Sequence, residues 1–432
     1  MYFYDGGIVK QSMGNITIKS IKSQLLIIIS FAVMFISRVL VISGNYTLPI
    51  DATLIQIVYL GIVITMGILK DRKILISKKP SESVVVSMAL ITHVILFTCV
   101  FVNPVMSKYA AQMFQRQGMF VLIVVFSAWI IGKYRLFDAF LKTVFISLST
   151  ILFIQFITHI SDLQYLNIAS VMSSIGRTRG NFGFGHYNTL GGVCVCNILI
   201  SHLIQKRKSA GVYMKWLIPP FVLLSIIMLL VSASRSSISS LGIYICLYLF
   251  TNLEIKHLGK RTTRFLKIFL AFLMVMLLIS NLGMSFESFL SESNRFTLFS
   301  VALPTFFKSG RTMLGLGYAP TEVYGLNETP YLTYWLDNGY IYTLITTGYI
   351  GSIIYIVALC AILKNIRRFS KCSIGKNMIC IFAVYLYSAL FEATLFTGTI
   401  QNYVYIILFL MYGSKYFFER CTILGRKQIR NE

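Results

Sequence analysis

Two arginines two residues apart, Arg177 and Arg179, open the segment GRTRGNFGFGHYNTLGG at residues 176–192. A guanidinium stays charged at any physiological pH and can grip two oxygens of a phosphate at once. The glycines that follow let backbone amides come close to a ligand, and His186 and Asn188 stand where a helix is about to begin. A third arginine, Arg235, lies among four serines in SASRSS, residues 232–237. A third group combines Arg295, Lys308 and Arg311 with Glu322, Glu328 and the pair Asp337-Asn338. Cations for an anionic ligand and carboxylates able to take a proton are the components of acid–base chemistry on a phosphorylated substrate. Each group has a plainer reading too. The first suits a flexible loop whose arginines meet lipid headgroups, and Arg235 suits snorkelling to an interface. The third suits a self-neutralising surface loop, with Asp337-Asn338 as an acidic helix start and its cap.

Several chemistries have no residues to carry them. The five histidines are scattered, with no His/Asp/Glu cluster at metal-ligand spacing. Neither a Walker A sequence nor a dinucleotide fingerprint occurs, so no metal or cofactor is expected. Any driving energy must then come from the substrate or an ion gradient. The eight cysteines avoid the two longest polar loops, so no disulfide framework is expected there.

The elements that must hold these residues are membrane helices. The chain is 56% hydrophobic and only 12% charged over 432 residues, against roughly a quarter charged in soluble domains. Its apolar runs are continuous rather than alternating, and about 20 residues of helix are needed to cross about 30 Å of hydrocarbon. The pattern predicts an all-α integral membrane protein, a single polytopic domain over 1–432 with about twelve spans: 22–42, 52–69, 83–102, 118–132, 137–159, 188–205, 216–233, 236–253, 265–283, 338–363, 377–395 and 399–414. The start MYFYDGGIVK lacks a signal-peptide layout, so the first apolar run is expected to remain as an anchor.

The net charge of +24 is distributed as a topology signal, in short basic clusters between apolar runs, and not as a nucleic-acid surface. With the N-terminus inside, the alternate segments hold three, five, two, four, five, five and five lysines and arginines, 29 of the 39. The positive-inside rule then makes both termini cytoplasmic. Ten remain: Arg38 and Lys142 inside apolar runs, and Lys108, Arg116, Arg177, Arg179, Arg235, Arg295, Lys308 and Arg311 on the outer side. The outer side also receives a first loop at 160–187 and a large loop at 284–337. The centre of the large loop, YAPTEVYGLNETPYLTYW, reads as ordered. Glu392, near the outer end of the eleventh span, reads either as a buried functional acid or as a solvated one.

At this point the chain resembles the O-antigen ligase/polymerase-like membrane proteins, most closely the repeat-unit polymerases of the Wzy-dependent polysaccharide pathway. Arg179-Gly180-Asn181-Phe182 with His186 and Asn188 is similar to that family's R-G-x-F…H-P-N segment, with Tyr187 in place of proline. Ser234-Arg235-Ser236 is similar to its S-R-[ST] element. LGLGY, Asp337-Asn338-Gly339-Tyr340 and Gly348-Tyr349-Ile350-Gly351 resemble the block that closes its large outer loop. The resemblance implies a metal-independent, GT-C-like glycosyltransferase in a bacterial cytoplasmic membrane. Such an enzyme joins undecaprenyl-diphosphate-linked oligosaccharides into capsule, exopolysaccharide or O-antigen, with membrane lipid around it and no nucleic acid. It also makes the flippase and chain-length regulator of the same pathway candidate partners. By position it assigns Arg179 and Arg235 to catalysis, with Asp337 as a candidate base beside Glu322 and Glu328. Arg177, His186, Asn188, Arg295, Arg311 and Asn338 fall to substrate binding. The family's ligases carry a histidine in the large loop and residues 284–337 contain none, which favours a polymerase over a ligase. The arginine–glycine loop spacing of the polymerases is missed by one position, at Gly191. A flippase for the same lipid-linked unit is the alternative, but it would be expected to place its charges inside spans.

Overall fold

The computed structural model describes residues 18–43, 51–70, 82–99, 114–166, 179–207, 211–252, 265–274 apart from 267 and 273, 303–316, 338–368, 373–392, 395 and 398–412. These are overwhelmingly helical, with no strand among them. In chain order the long helices are α1 (Ile18–Ser43), α2 (Ala52–Lys70), α3 (Glu82–Cys99), α4 (Met119–Lys133), α5 (Phe137–Thr158) and α6 (Tyr187–Lys206). There follow α7 (Val212–Ser232), α8 (Arg235–Asn252), α9 (Gly339–Arg367), α10 (Ser373–Ser388) and α11 (Ile400–Tyr412).

These helices are apolar on every side. On α1, Ile27, Phe31, Met34 and Phe35 are buried while Leu25, Ile29 and Val33 stand exposed. The same holds on α9, where Ile353 and Ile356 face outward. A helix hydrophobic all round belongs in lipid or in a large core. Six helices are long and apolar enough to cross a membrane, and four more are apolar but shorter. Of the expected ninth span, only residues up to 274 are described, and these are helical.

Side chains tie the ends of neighbouring helices together. Arg207 after α6 pairs with Asp138 at the start of α5. Lys133 of α4 donates to Gly67 O of α2, and Lys376 of α10 donates to Thr251 O of α8. One end of the bundle is therefore basic. Within it, buried polar groups find one another: Asn197 of α6 donates to Ser149 of α5 at 3.2 Å and to Ser225 of α7 at 3.0 Å. Interhelical bonds of this kind contribute about 0.6–1.7 kcal/mol in membrane proteins. Asn197→Leu should therefore lower the melting temperature of the detergent-purified protein by a few degrees without altering lipid binding; an unchanged melt would make the network idle.

Three boundaries differ from the sequence expectation, each for a physical reason. Helix α7 starts at Val212, so Pro219 and Pro220 fall in its third turn rather than near its start. The carbonyls that lose their donors are those of Lys215 and Trp216. Both residues are exposed. Helix α10 stops at Ser388, because the carbonyls of Ala389 and Leu390 accept from Gly339 N and Asn338 Nδ2 at the start of α9.

The third difference is a break in α9 at Gly348, which has φ 65° and ψ −165°. Residues 311–316 dock into the break. Leu316 N donates to Ile345 O at 2.7 Å, while Tyr349 N and Ile350 N donate to Thr312 O and Met313 O at 2.9 and 3.1 Å. Broken helices in membranes persist only where protein satisfies the freed backbone groups, and this segment does so.

Candidate functional site

At the end of the bundle opposite the basic one, three helix N-termini are tied together. The segment leading into α6 is anchored first. Gly180 N donates to Val231 O at the end of α7 at 3.1 Å. The Asp162 carboxylate accepts from the backbone of Asn181 and Phe182 at 3.0 and 2.7 Å. Phe182 takes a left-handed conformation, φ 44°, and its buried ring stacks on Phe156. A side chain at Gly180 would strike Val231 at 2.6 Å, so only glycine permits this approach. Arg179 is thereby held half-buried, its guanidinium 4.0 Å from the centre of the Tyr187 ring, a cation–π arrangement.

His186 caps α6, its Nδ1 accepting from Asn188 N at 3.2 Å. Asn188 itself points elsewhere, and its Oδ1 accepts from Ser234 Oγ at 3.1 Å. That bond joins the start of α6 to the turn before α8, where Ala233 is also left-handed at φ 44°. Gly191 brings the two helices together, since a Cβ there would meet Ser237 Oγ at 2.6 Å. Its place in the sequence is explained by this packing.

Arg235 is the first residue of α8. Burial, and after it the like charge of Arg179, pull its guanidinium below the ordinary arginine value. Two residues 56 positions apart in sequence are thus close enough to repel each other. The next residue, Ser236, lies 3.4 Å from Glu392 Oε1. The turn after α10 that carries Glu392 is the one that meets the start of α9. There Asn338 Oδ1 accepts from Tyr340 N and Ile341 N at 3.0 Å each. An arginine pair beside helix N-termini, with serine hydroxyls and one carboxylate, is a place for a multiply charged oxyanion and a proton acceptor.

Of the residues singled out from sequence, Arg179, Arg235, His186, Asn188 and Asn338 belong to this junction. Arg311 stands exposed on the segment docked against α9, and among the described residues its guanidinium makes no ion pair. Arg177, Arg295, Asp337, Glu322 and Glu328 lie outside the described residues. Two participants carried little signal in the sequence. Asp162 acts through backbone contacts about twenty positions away, which no spacing announces. Glu392 reads as a lone acid until the fold sets it against the serines. No family model matches the chain, and no curated protein matches it either.

Proposed function

We propose that this chain is a polysaccharide polymerase that joins undecaprenyl-diphosphate-linked repeat units at the outer face of a bacterial cytoplasmic membrane. In this reading the bundle crosses the membrane about twelve times, with both termini and the basic end cytoplasmic. The reading is carried by Arg179 and Arg235, which the Asn188–Ser234 bond brings to one junction at the starts of α6 and α8, because two guanidiniums beside helix N-termini suit a diphosphate. A hydroxyl of the acceptor unit attacks the anomeric carbon of the donor glycan. The bond from that carbon to the diphosphate breaks, and its electron pair leaves with undecaprenyl diphosphate. Charge grows on that leaving group in the transition state, where Arg179, Arg235 and the N-termini of α6 and α8 stabilise it most. Glu392, set against the serines of α8, receives the hydroxyl proton; the acids expected from sequence lie outside the described residues. Positional likeness to the repeat-unit polymerases at Arg179-Gly180-Asn181-Phe182 and Ser234-Arg235-Ser236 supports the same reading.

The test is the surface glycan of a deletion strain, complemented by the purified protein in proteoliposomes. One repeat unit in place of a ladder, and joining of units by the purified protein, are expected. Movement of units across the bilayer without joining would make the chain a flippase instead. Glu392→Gln should lower the joining rate about 100-fold or more while the lipid-linked substrate still binds. A full rate in that variant moves the proton to another acceptor.

A further inference from the structure

Arg38 takes no part in the site described so far. It lies within α1, five residues before that helix ends, and an arginine inside a membrane helix marks a candidate functional site by default. Among the described residues no carboxylate pairs with it. Its Nη2 approaches Gly398, where an added Cβ would sit at 3.8 Å. Its Nε is buried without a hydrogen-bond partner. The hydroxyl of Tyr403 on α11 neighbours both Arg38 and Gln56 of α2. Gln56 is only 4% exposed, yet its Nε2 also makes no hydrogen bond. The Oγ1 of Thr399, next to Gly398, is a third buried and unpaired polar atom.

The ends of α1, α2 and α11 that meet here therefore gather a guanidinium, an amide and two hydroxyls around a positive charge that no carboxylate among the described residues compensates. Most of these groups are donors, so the ligand that completes them is an oxyanion. Its place in a span near the bundle's end calls for one that arrives in the membrane. We propose that Arg38, Gln56, Thr399 and Tyr403 form a second anion site, separate from Arg179 and Arg235, for the phosphate of a lipid headgroup. The two sites flank the start of α6. Gly191 of that helix abuts Ser234 and Ser237 on one side, and Gly192 abuts Gln401 of α11 on the other. A reaction between two lipid-linked diphosphates needs one anion site for each, so the second would hold the acceptor's diphosphate; that identity, though not the site, rests on the proposed reaction.

The experiment counts lipids bound to purified protein in phosphatidylcholine nanodiscs, using native mass spectrometry with undecaprenyl diphosphate or phosphatidylglycerol added. Wild type should bind two undecaprenyl diphosphates. Arg38→Met and Gln56→Leu should each leave one, with at least a tenfold loss of affinity for the other. Because Arg38 Nε and Gln56 Nε2 make no hydrogen bond, replacing either side chain should change lipid occupancy with little change in melting temperature. Loss of phosphatidylglycerol alone in these variants gives the site to a phospholipid headgroup and still supports it. Wild-type binding of both lipids in both variants, or a lowered melting temperature with binding intact, overturns the proposal. Arg235→Ala separates the two readings: it should lose the other undecaprenyl diphosphate, and if it binds two, the leaving-group site fails while this one stands.

Discussion

Arg235→Ala and Arg179→Ala are each expected to abolish long-chain glycan in a strain lacking the native chain, lowering the rate of unit joining about 100- to 1000-fold. The size follows from when the interaction matters. The donor's diphosphate already carries charge in the ground state, so part of each arginine's attraction only tightens binding. The remainder appears as the glycosidic bond breaks and another charge develops on the leaving oxygen. A variant that loses only ground-state binding would raise KM and spare kcat, whereas loss of the second part lowers kcat. Because both guanidiniums act on one leaving group in the proposed reaction, the double alanine variant should fall well short of the product of the two single losses. Arg235→Lys should recover only part of the rate, since an ammonium keeps the charge without the two-pronged grip. A glycan ladder of normal length from either alanine variant would sink the assignment of that residue.

The pairing behind this prediction was half visible in the sequence. Arg179 and Arg235 stand out because topology asks for no positive charge where they lie, and each is flanked by residues that favour helix starts. Their proximity was not visible. It depends on Gly180 reaching Val231, on Asp162 holding two backbone amides, and on Gly191 admitting the serine turn. These are contacts between backbone and small side chains at long sequence separation, and they leave no periodic trace. Most of the described helices were legible in the sequence, since hydropathy selects six as long enough to span and four shorter ones. Two of the three differences arise where a tertiary partner intervenes: Asn338 and Gly339 take the carbonyls after Ser388, and residues 311–316 enter α9 at Gly348. Asn188, a candidate cap by its position, proves to be a bridge to Ser234, because the helix starts one residue earlier and His186 is its cap.

Gly348→Ala is expected to inactivate the protein as thoroughly as loss of Arg235, although the residue carries no chemistry. Two independent costs fall on this position. Its φ of 65° with ψ −165° lies in a region that is essentially reserved for glycine. An added Cβ would also lie 2.5 Å from both Gly315 N and Met313 O. Those are backbone atoms held by hydrogen bonds and cannot swing aside. Gly315, at φ 85°, meets Gly348 N and Thr346 O at the same 2.5 Å, so the two glycines form one contact and neither can change alone. The segment would have to leave the break, exposing the amides of Tyr349 and Ile350 and the carbonyl of Ile345 where water is scarce. Each buried group left unpaired costs about 1–3 kcal/mol. Other glycines give the comparison. Gly61 has no atom within 4 Å of its missing Cβ and an ordinary φ, so Gly61→Ala should be neutral or slightly stabilising. Gly310 has φ 67° but open space around it, so Gly310→Ala should cost only the strain of a left-handed residue, about 1–2 kcal/mol. Melting temperatures should fall in the order Gly61→Ala, Gly310→Ala, Gly348→Ala, and glycan length should follow the same order. A Gly348→Ala protein that melts and polymerises like Gly310→Ala would mean that the 311–316 segment does not need the break.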